Sequence, residues 1–134
     1  MAYLAIDYGE KRIGLAIADE ETKIPLPLGA ILNKGNLRFL KEIQTLVERN
    51  KINCVLVGWP LLTDGTEGKR TAATQKFIDN LAEILKLPII KIDERFSSRL
   101  SQTLSGRKKA EKDMGAAMVI LEDFLSRAKL AEAN

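Results

Sequence analysis

The sequence carries 18 acidic residues, and most belong on a solvated surface. Three places differ. Asp7 follows Leu4-Ala5-Ile6 without a break, so it falls at the end of an apolar strand expected to be covered on both faces. Asp93 and Glu94 follow directly on Pro88-Ile89-Ile90-Lys91-Ile92, and ligands collect at the ends of strands in α/β sheets. Asp113 precedes Ala117, Ile120 or Leu121, and Phe124 at helical spacing, so it shares their apolar stripe. Each has an ordinary structural explanation. Asp7 fits a turn acceptor for backbone N–H groups, and Asp113 fits an acid favoured by the positive end of a helix dipole. One of Asp93 and Glu94 fits a turn or an ion pair with Arg95, and periodicity does not choose which.

Together the three places point to a single chemistry. Carboxylates held within a few Å repel one another and raise each other's pKa values. A divalent cation removes that conflict, and acidic sites of this kind hydrolyse phosphodiesters with ions ~3.5–4 Å apart. The rest of the composition leaves few alternatives. There is no histidine, which excludes a Ser-His-Asp or Cys-His mechanism from this chain and any His-ligated zinc. The single cysteine, Cys54 in the apolar run Cys-Val-Leu-Val-Gly, forms no intrachain disulfide or thiolate cluster, and a buried place in the core is expected. Oxygen ligands suit Mg²⁺ or Mn²⁺.

Basic residues stand close in sequence to each acidic place. Lys11 and Arg12 come just after Asp7, Arg95 adjoins Glu94, and Arg107, Lys108, Lys109 and Lys112 precede Asp113. Convergence of the acids would gather these cations around them, where they would hold phosphates and supply affinity without sequence reading. A net charge of +3 and a pI near 9.0 permit a polyanionic partner. Aromatics make up 5% of the chain, too few for extended base stacking, and Trp59 is the best candidate for one stacking contact. Ser97 and Ser98 read as helix caps, since no base stands by to activate them.

The elements that must position these residues follow from the apolar pattern. Residues 3–7 and 13–18 form a hairpin around Tyr-Gly-Glu-Lys-Arg. A third strand at 26–32 is pushed to an edge by Pro25 and Pro27. Asn33 to Asn36 form a turn, and Leu37, Leu40, Ile43, Leu46 and Val47 mark a helix over 37–49. The β-branched run 52–58 reads as a buried parallel strand. A loop over 59–70 leads into a helix opened near Thr66, marked by Ala73, Phe77, Leu81 and Leu85 and ended by Lys86-Leu87-Pro88. A strand at 88–92, a helix from Ser97 or Ser98 to about Leu104, a basic connection over 105–112 and a last helix from Asp113 to about Lys129 complete the order. This predicts one α/β domain over residues 1–134, a mixed sheet that opens antiparallel and continues with alternating strands and helices. No apolar run approaches a membrane span, and no basic start with an apolar stretch follows Met1, so a cytoplasmic protein is expected.

Four stretches carry a resemblance. Asp-Tyr-Gly-Glu-Lys-Arg-Ile-Gly-Leu-Ala at 7–16, Val-Gly-Trp-Pro-Leu-Leu-Thr-Asp-Gly-Thr-Glu-Gly at 57–68, Asp-Glu-Arg-Phe-Ser-Ser at 93–98, and the segment Asp113–Leu125 are similar to the motifs of the YqgF/RuvX family. They occur in order across nearly the whole chain. The resemblance implies an RNase H-like fold related to the Holliday junction resolvase RuvC, with a five-stranded mixed sheet flanked by helices. It implies a metal-dependent nuclease using Mg²⁺ or Mn²⁺, with Asp7, Glu94 and Asp113 at the family's acidic positions, and so selects Glu94 over Asp93. The implied partner is nucleic acid: pre-16S rRNA at its 5′ end, with branched DNA as the alternative, acted on by a monomer or a homodimer. Two departures stand out. Glu10 replaces a common threonine, and the stretch between residue 98 and Asp113 is short for the family, which bears on substrate contacts more than on the acids. A non-catalytic nucleic-acid-binding module is a second reading. An ATP-binding domain of the actin-like or sugar-kinase type is a third, disfavoured because such proteins need two domains.

Overall fold

The computed structural model describes residues 1–35, 37–60, 68–93 and 109–133, with side chains of the last helix described over 115–127. Five strands form one sheet: β1 (Ala2–Tyr8), β2 (Arg12–Asp19), β3 (Pro25–Leu32), β4 (Ile52–Trp59) and β5 (Ile89–Asp93). Their spatial order is β3-β2-β1-β4-β5. β1 pairs antiparallel with β2, β2 with β3, and the β1–β4 and β4–β5 pairs are parallel. β1 is the middle strand and β3 an edge, where the missing N–H groups of Pro25 and Pro27 cost no ladder bonds. β3 also bulges: Leu15 pairs with Gly29 and Ala16 with Pro27, and Gly29 takes the positive φ of 127° that the irregularity needs.

Three helices are described: α1 (Arg38–Arg49), α2 (Lys69–Leu85) and α3 (Lys109–Ala133). α1 and α2 cover one face of the sheet and α3 the other, lying against β2, β1 and β3. Strand alternation sorts the core. Leu4, Ile6, Ile13, Leu15, Val55 and Val57 meet Phe39, Ile43, Phe77 and Leu81 of α1 and α2. Ala5, Ala16, Ala18 and Leu56 meet Ala117, Ile120, Leu121 and Leu125 of α3. Tyr3 and Phe124 extend that second layer, edge to face at 5.3 Å between centroids.

Several boundaries depart from the sequence reading. Trp59 is the last residue of β4 rather than part of a loop, with its register partner Asp93 ending β5. α2 begins at Lys69, not near Thr66, which lies outside the described residues. The Thr71 hydroxyl accepts from the Gly68 N–H at 3.0 Å and donates to the Pro60 carbonyl at 2.8 Å. That bond ties the first turn of α2 to the end of β4. The last helix starts at Lys109 and runs to Ala133, so Lys109 and Lys112 are helical and do not belong to a connection. Lysine and glutamate form helices well, and their polarity was mistaken for a loop signal. Cys54 is half-buried rather than buried, and its partial burial pushes the thiol pKa up. The helix expected after Ser97 or Ser98 lies outside the described residues. Among the described residues, no helix is long and apolar enough to cross a membrane.

Candidate active site

The site is built outward from Asp7. Along β1, Leu4 and Ile6 face α1 and α2 while Tyr3 and Ala5 face α3, so alternation puts Asp7 on the α3 face at the C-terminal end of the middle strand. It is half-buried and engaged with its surroundings. Its cross-strand partner on β2 is Gly14. On the other side, one step beyond the Ile6–Val57 pair brings Gly58 of β4 alongside. A row of Ala30, Gly14, Asp7, Gly58 and Ile92 thus crosses the sheet. Neither neighbouring strand places a side chain beside the carboxylate. Sequence reasoning missed these two glycines, although both stand in the quoted motifs. Their role appears only with the register.

The turn after Asp7 is tight. A Cβ on Gly9 would stand 2.5 Å from the Arg12 carbonyl oxygen, so only glycine fits. Glu10 and Lys11 are exposed at its tip. Asn33, a third residue missed from sequence, fastens this turn. Its backbone N–H donates to the Lys11 carbonyl at 2.8 Å, and its side-chain Nδ2 donates to the Gly9 carbonyl at 3.0 Å and the Tyr8 hydroxyl at 3.3 Å. Its own Oδ1 accepts from the Gly35 N–H at 3.2 Å. An asparagine opening a turn signal directly after a strand was the available hint.

Arg12 has the parity of Gly14, Ala16 and Ala18, which puts it on the same face as Asp7. Its Nη1 is buried and makes no hydrogen bond among the described residues. A buried donor left unpaired costs ~1–3 kcal/mol, more when charged, and an anionic oxygen would satisfy it.

The remaining expected site residues are placed unequally. Asp93 follows the parity of Ile89, packed on the α1/α2 side, whereas Ile92 is on the α3 side. Asp93 is therefore on the face opposite Asp7. Glu94, Arg95, Arg107 and Lys108 lie outside the described residues. Lys109, Lys112 and Asp113 occupy the first turns of α3 by backbone, and Asp113 precedes the buried Ala117 by one turn. Among the described residues no three acidic, cysteine or histidine side chains come together as a metal cage. Trp59 packs against the core with the Lys91 ammonium 4.0 Å from its ring centre. That ring is committed to packing, and the stacking role expected of it gains no support. Lys91 also donates to Gln75 Oε1 at 2.6 Å.

A mixed sheet with this strand order, helices on both faces and an aspartate ending the middle strand defines the RNase H-like class of the RuvC resolvases. The fold matches Thermus thermophilus RuvC in complex with a Holliday junction substrate, with a TM-score of 0.62 at 16% identity over 96% of each chain. It also matches the fowlpox virus Holliday junction resolvase, with a TM-score of 0.59 at 9% identity over 95% of this chain and 99% of that one. Within this class the chain belongs to the RuvX family, whose model, described as Holliday junction resolvase, matches residues 1–127. A Chloroflexus aggregans relative is 36% identical over 129 residues, 91% of each chain, and is named provisionally as a pre-16S rRNA nuclease. A relative from Sulfurihydrogenibium sp., 35% identical over 131 residues, 92% of this chain and 89% of its own, has the same provisional name.

Proposed function

We propose that this protein is a divalent-metal-dependent nuclease that trims the 5′ end of pre-16S rRNA. The observation that carries the chemistry is the place of Asp7: a carboxylate ending the middle strand, on the α3 face, between two glycines. The RNA substrate is supported by the names of the family relatives.

Asp7, Glu94 and Asp113 would hold Mg²⁺ or Mn²⁺. An oxygen ligand flanked by two positions without side chains fits a hard cation and a phosphate. When bound, the metal neutralises the acids and polarises the phosphate. Asp93 is set aside because it is on the far face. A distance estimate favours Asp113. Phe124 packs on Tyr3, and Asp113 stands about 16 Å N-terminal to Phe124 at 1.5 Å per helical residue. Asp7 stands about 13 Å from Tyr3 at 3.3 Å per strand residue. An α3 laid antiparallel to β1 would bring Asp113 to the end of the strand that carries Asp7.

The chain's cations would hold the substrate. The orphaned Arg12 Nη1 would take a non-bridging phosphate oxygen next to Asp7, and Lys11 a flanking phosphate. Lys109 and Lys112 in α3, with Arg95, Arg107 and Lys108, would extend the basic surface. The site would act in the cytoplasm, where ribosomes are made. Junction cleavage by a homodimer is the second reading, favoured by the family description and the fold of the RuvC complex.

The test is cleavage of a precursor 16S rRNA leader and of four-way junction DNA with Mg²⁺ or Mn²⁺, with the solution mass measured alongside. The expected outcome is metal-dependent trimming of the RNA, abolished by Asp7→Asn. Cleavage of junctions alone, by a dimer, would overturn the substrate. Cleavage surviving Asp7→Asn would overturn the site.

A further inference from the structure

The α1/α2 face has a feature the nuclease reading does not use. At the C-terminal end of β1, behind the turn that follows Asp7, lies a cavity of about 190 Å³. Its floor is aromatic: the Tyr8 ring stacks on Phe77 at 4.3 Å and 24°, and Phe39 leans on Phe77 at 5.7 Å. Its rim is polar, with Asn33, Lys76 and Asn80, and no carboxylate among the described residues lines it.

We propose that this cavity binds one base of a single-stranded nucleic acid whose backbone crosses the C-terminal edge of the sheet towards Asp7. The ligand class rests on the nuclease reading. The base site on the far face goes beyond it.

The size suits one heterocycle, since pockets for larger ligands run from ~300 Å³ upward. The chemistry suits a base. Aromatic and aliphatic walls take its faces, the Asn80 amide offers a donor and an acceptor to its edge, and Asn33, whose two N–H groups are spent on Tyr8 and Gly9, keeps an acceptor lone pair on Oδ1. Lys76 is exposed at the rim and adds a positive charge for the adjoining phosphate.

The connectivity ties the cavity to the acid. Asp7 and Tyr8 are consecutive residues pointing to opposite faces, so a strand draped over this edge reaches both. Asn33 joins the two sides. Its Nδ2 donates to the Tyr8 hydroxyl at the cavity wall and to the Gly9 carbonyl in the turn bearing Lys11 and Arg12. A base in the cavity would therefore steady the turn that holds the phosphates.

The experiment is a metal-free titration of the full chain with adenosine 5′-monophosphate, followed through backbone amide NMR shifts, with ribose 5-phosphate as the baseless control. The expected result is that the nucleotide shifts the amides of Gly35, Ala73, Lys76 and Asn80 and the control does not. Ala73→Trp, which fills the cavity from an exposed helical position, should weaken binding by about tenfold or more, the scale of one lost stacking contact. Asn80→Leu is the second variant, should the tryptophan perturb folding. Equal shifts from both ligands would overturn the proposal. So would shifts absent from these amides, or affinity unchanged in a variant with the parent's melting temperature. The titration involves no metal and no cleavage, so its failure stands apart from a failure of the nuclease assay.

Discussion

The two faces of the sheet are built from different stock. Towards α1 and α2 the three central strands present Leu4, Ile6, Ile13, Leu15, Val55 and Val57, all buried against Phe39, Ile43, Phe77 and Leu81. Towards α3 the same strands present Tyr3 and Leu56 but otherwise mainly the small Ala5, Ala16 and Ala18, with Gly14 and Gly58 beside Asp7. Large side chains on one face carry the apolar burial, at roughly 25 cal/mol per Å². Small ones on the other let α3 lie close, and the two glycines put no side chain beside the carboxylate. One strand serves both purposes because its side chains alternate. Stability and chemistry are thus separated by the thickness of a sheet, and the separation can be tested one face at a time.

The largest effects should fall on opposite measurements. Asp7→Asn should lower metal-dependent cleavage by ~10²–10³-fold, the scale of losing one preorganised electrostatic group, with the melting temperature close to the parent's. Leu81→Ala empties the other face and should cost about 2–5 kcal/mol of stability, read by urea unfolding, while the folded fraction still cleaves. If Asp7→Asn proved as destabilising as Leu81→Ala, the division between faces would fail.

Gly14→Val tests the glycine flank of Asp7. A β-branched residue suits a strand, but its side chain would stand across from Asp7. Overpacking costs about 1–3 kcal/mol, and cleavage should fall further than that loss of stability explains. Arg12→Gln should be milder. Removing one phosphate contact lowers the slope of log affinity against log salt by about 1, measured by nucleic-acid binding across a salt series. An unchanged slope would take Arg12 off the phosphate.

Much of this division was legible in the sequence. The apolar runs gave every strand, Pro25 and Pro27 gave the edge, and Asp7 stood out because a carboxylate followed three apolar residues. What stayed hidden depends on register. Gly14 and Gly58 are unremarkable until pairing sets them on either side of Asp7, and no spacing rule within one strand reports its neighbour. Apolar periodicity alone left Asp93 and Glu94 unseparated and the resemblance chose Glu94; the register adds that Asp93 faces away from α3. The start of α3 was missed because charged residues that form helices well resemble a polar loop when no apolar stripe runs through them.

Asp19 gives the smallest effect and the sharpest control, because it too is an aspartate ending an apolar strand. It closes β2 opposite Ala2, at the other end of the sheet from Asp7. Its Oδ1 accepts from the Glu21 N–H at 2.8 Å and the Thr22 N–H at 3.3 Å. Those two backbone bonds, Glu21's first, hold its carboxyl below the ordinary carboxylate pKa. A lowered folded pKa stabilises above the ordinary value, and the benefit fades as pH falls through the folded one. Asp19→Ala should therefore lower the melting temperature slightly at neutral pH, and the gap to the parent should close in acid. Because the side chain is fully exposed, the shift should be only just measurable, and cleavage should not change. A loss of cleavage in Asp19→Ala would mean that a strand-end aspartate matters here wherever it stands, and the case for Asp7 would lose its dependence on the face and the flanking glycines.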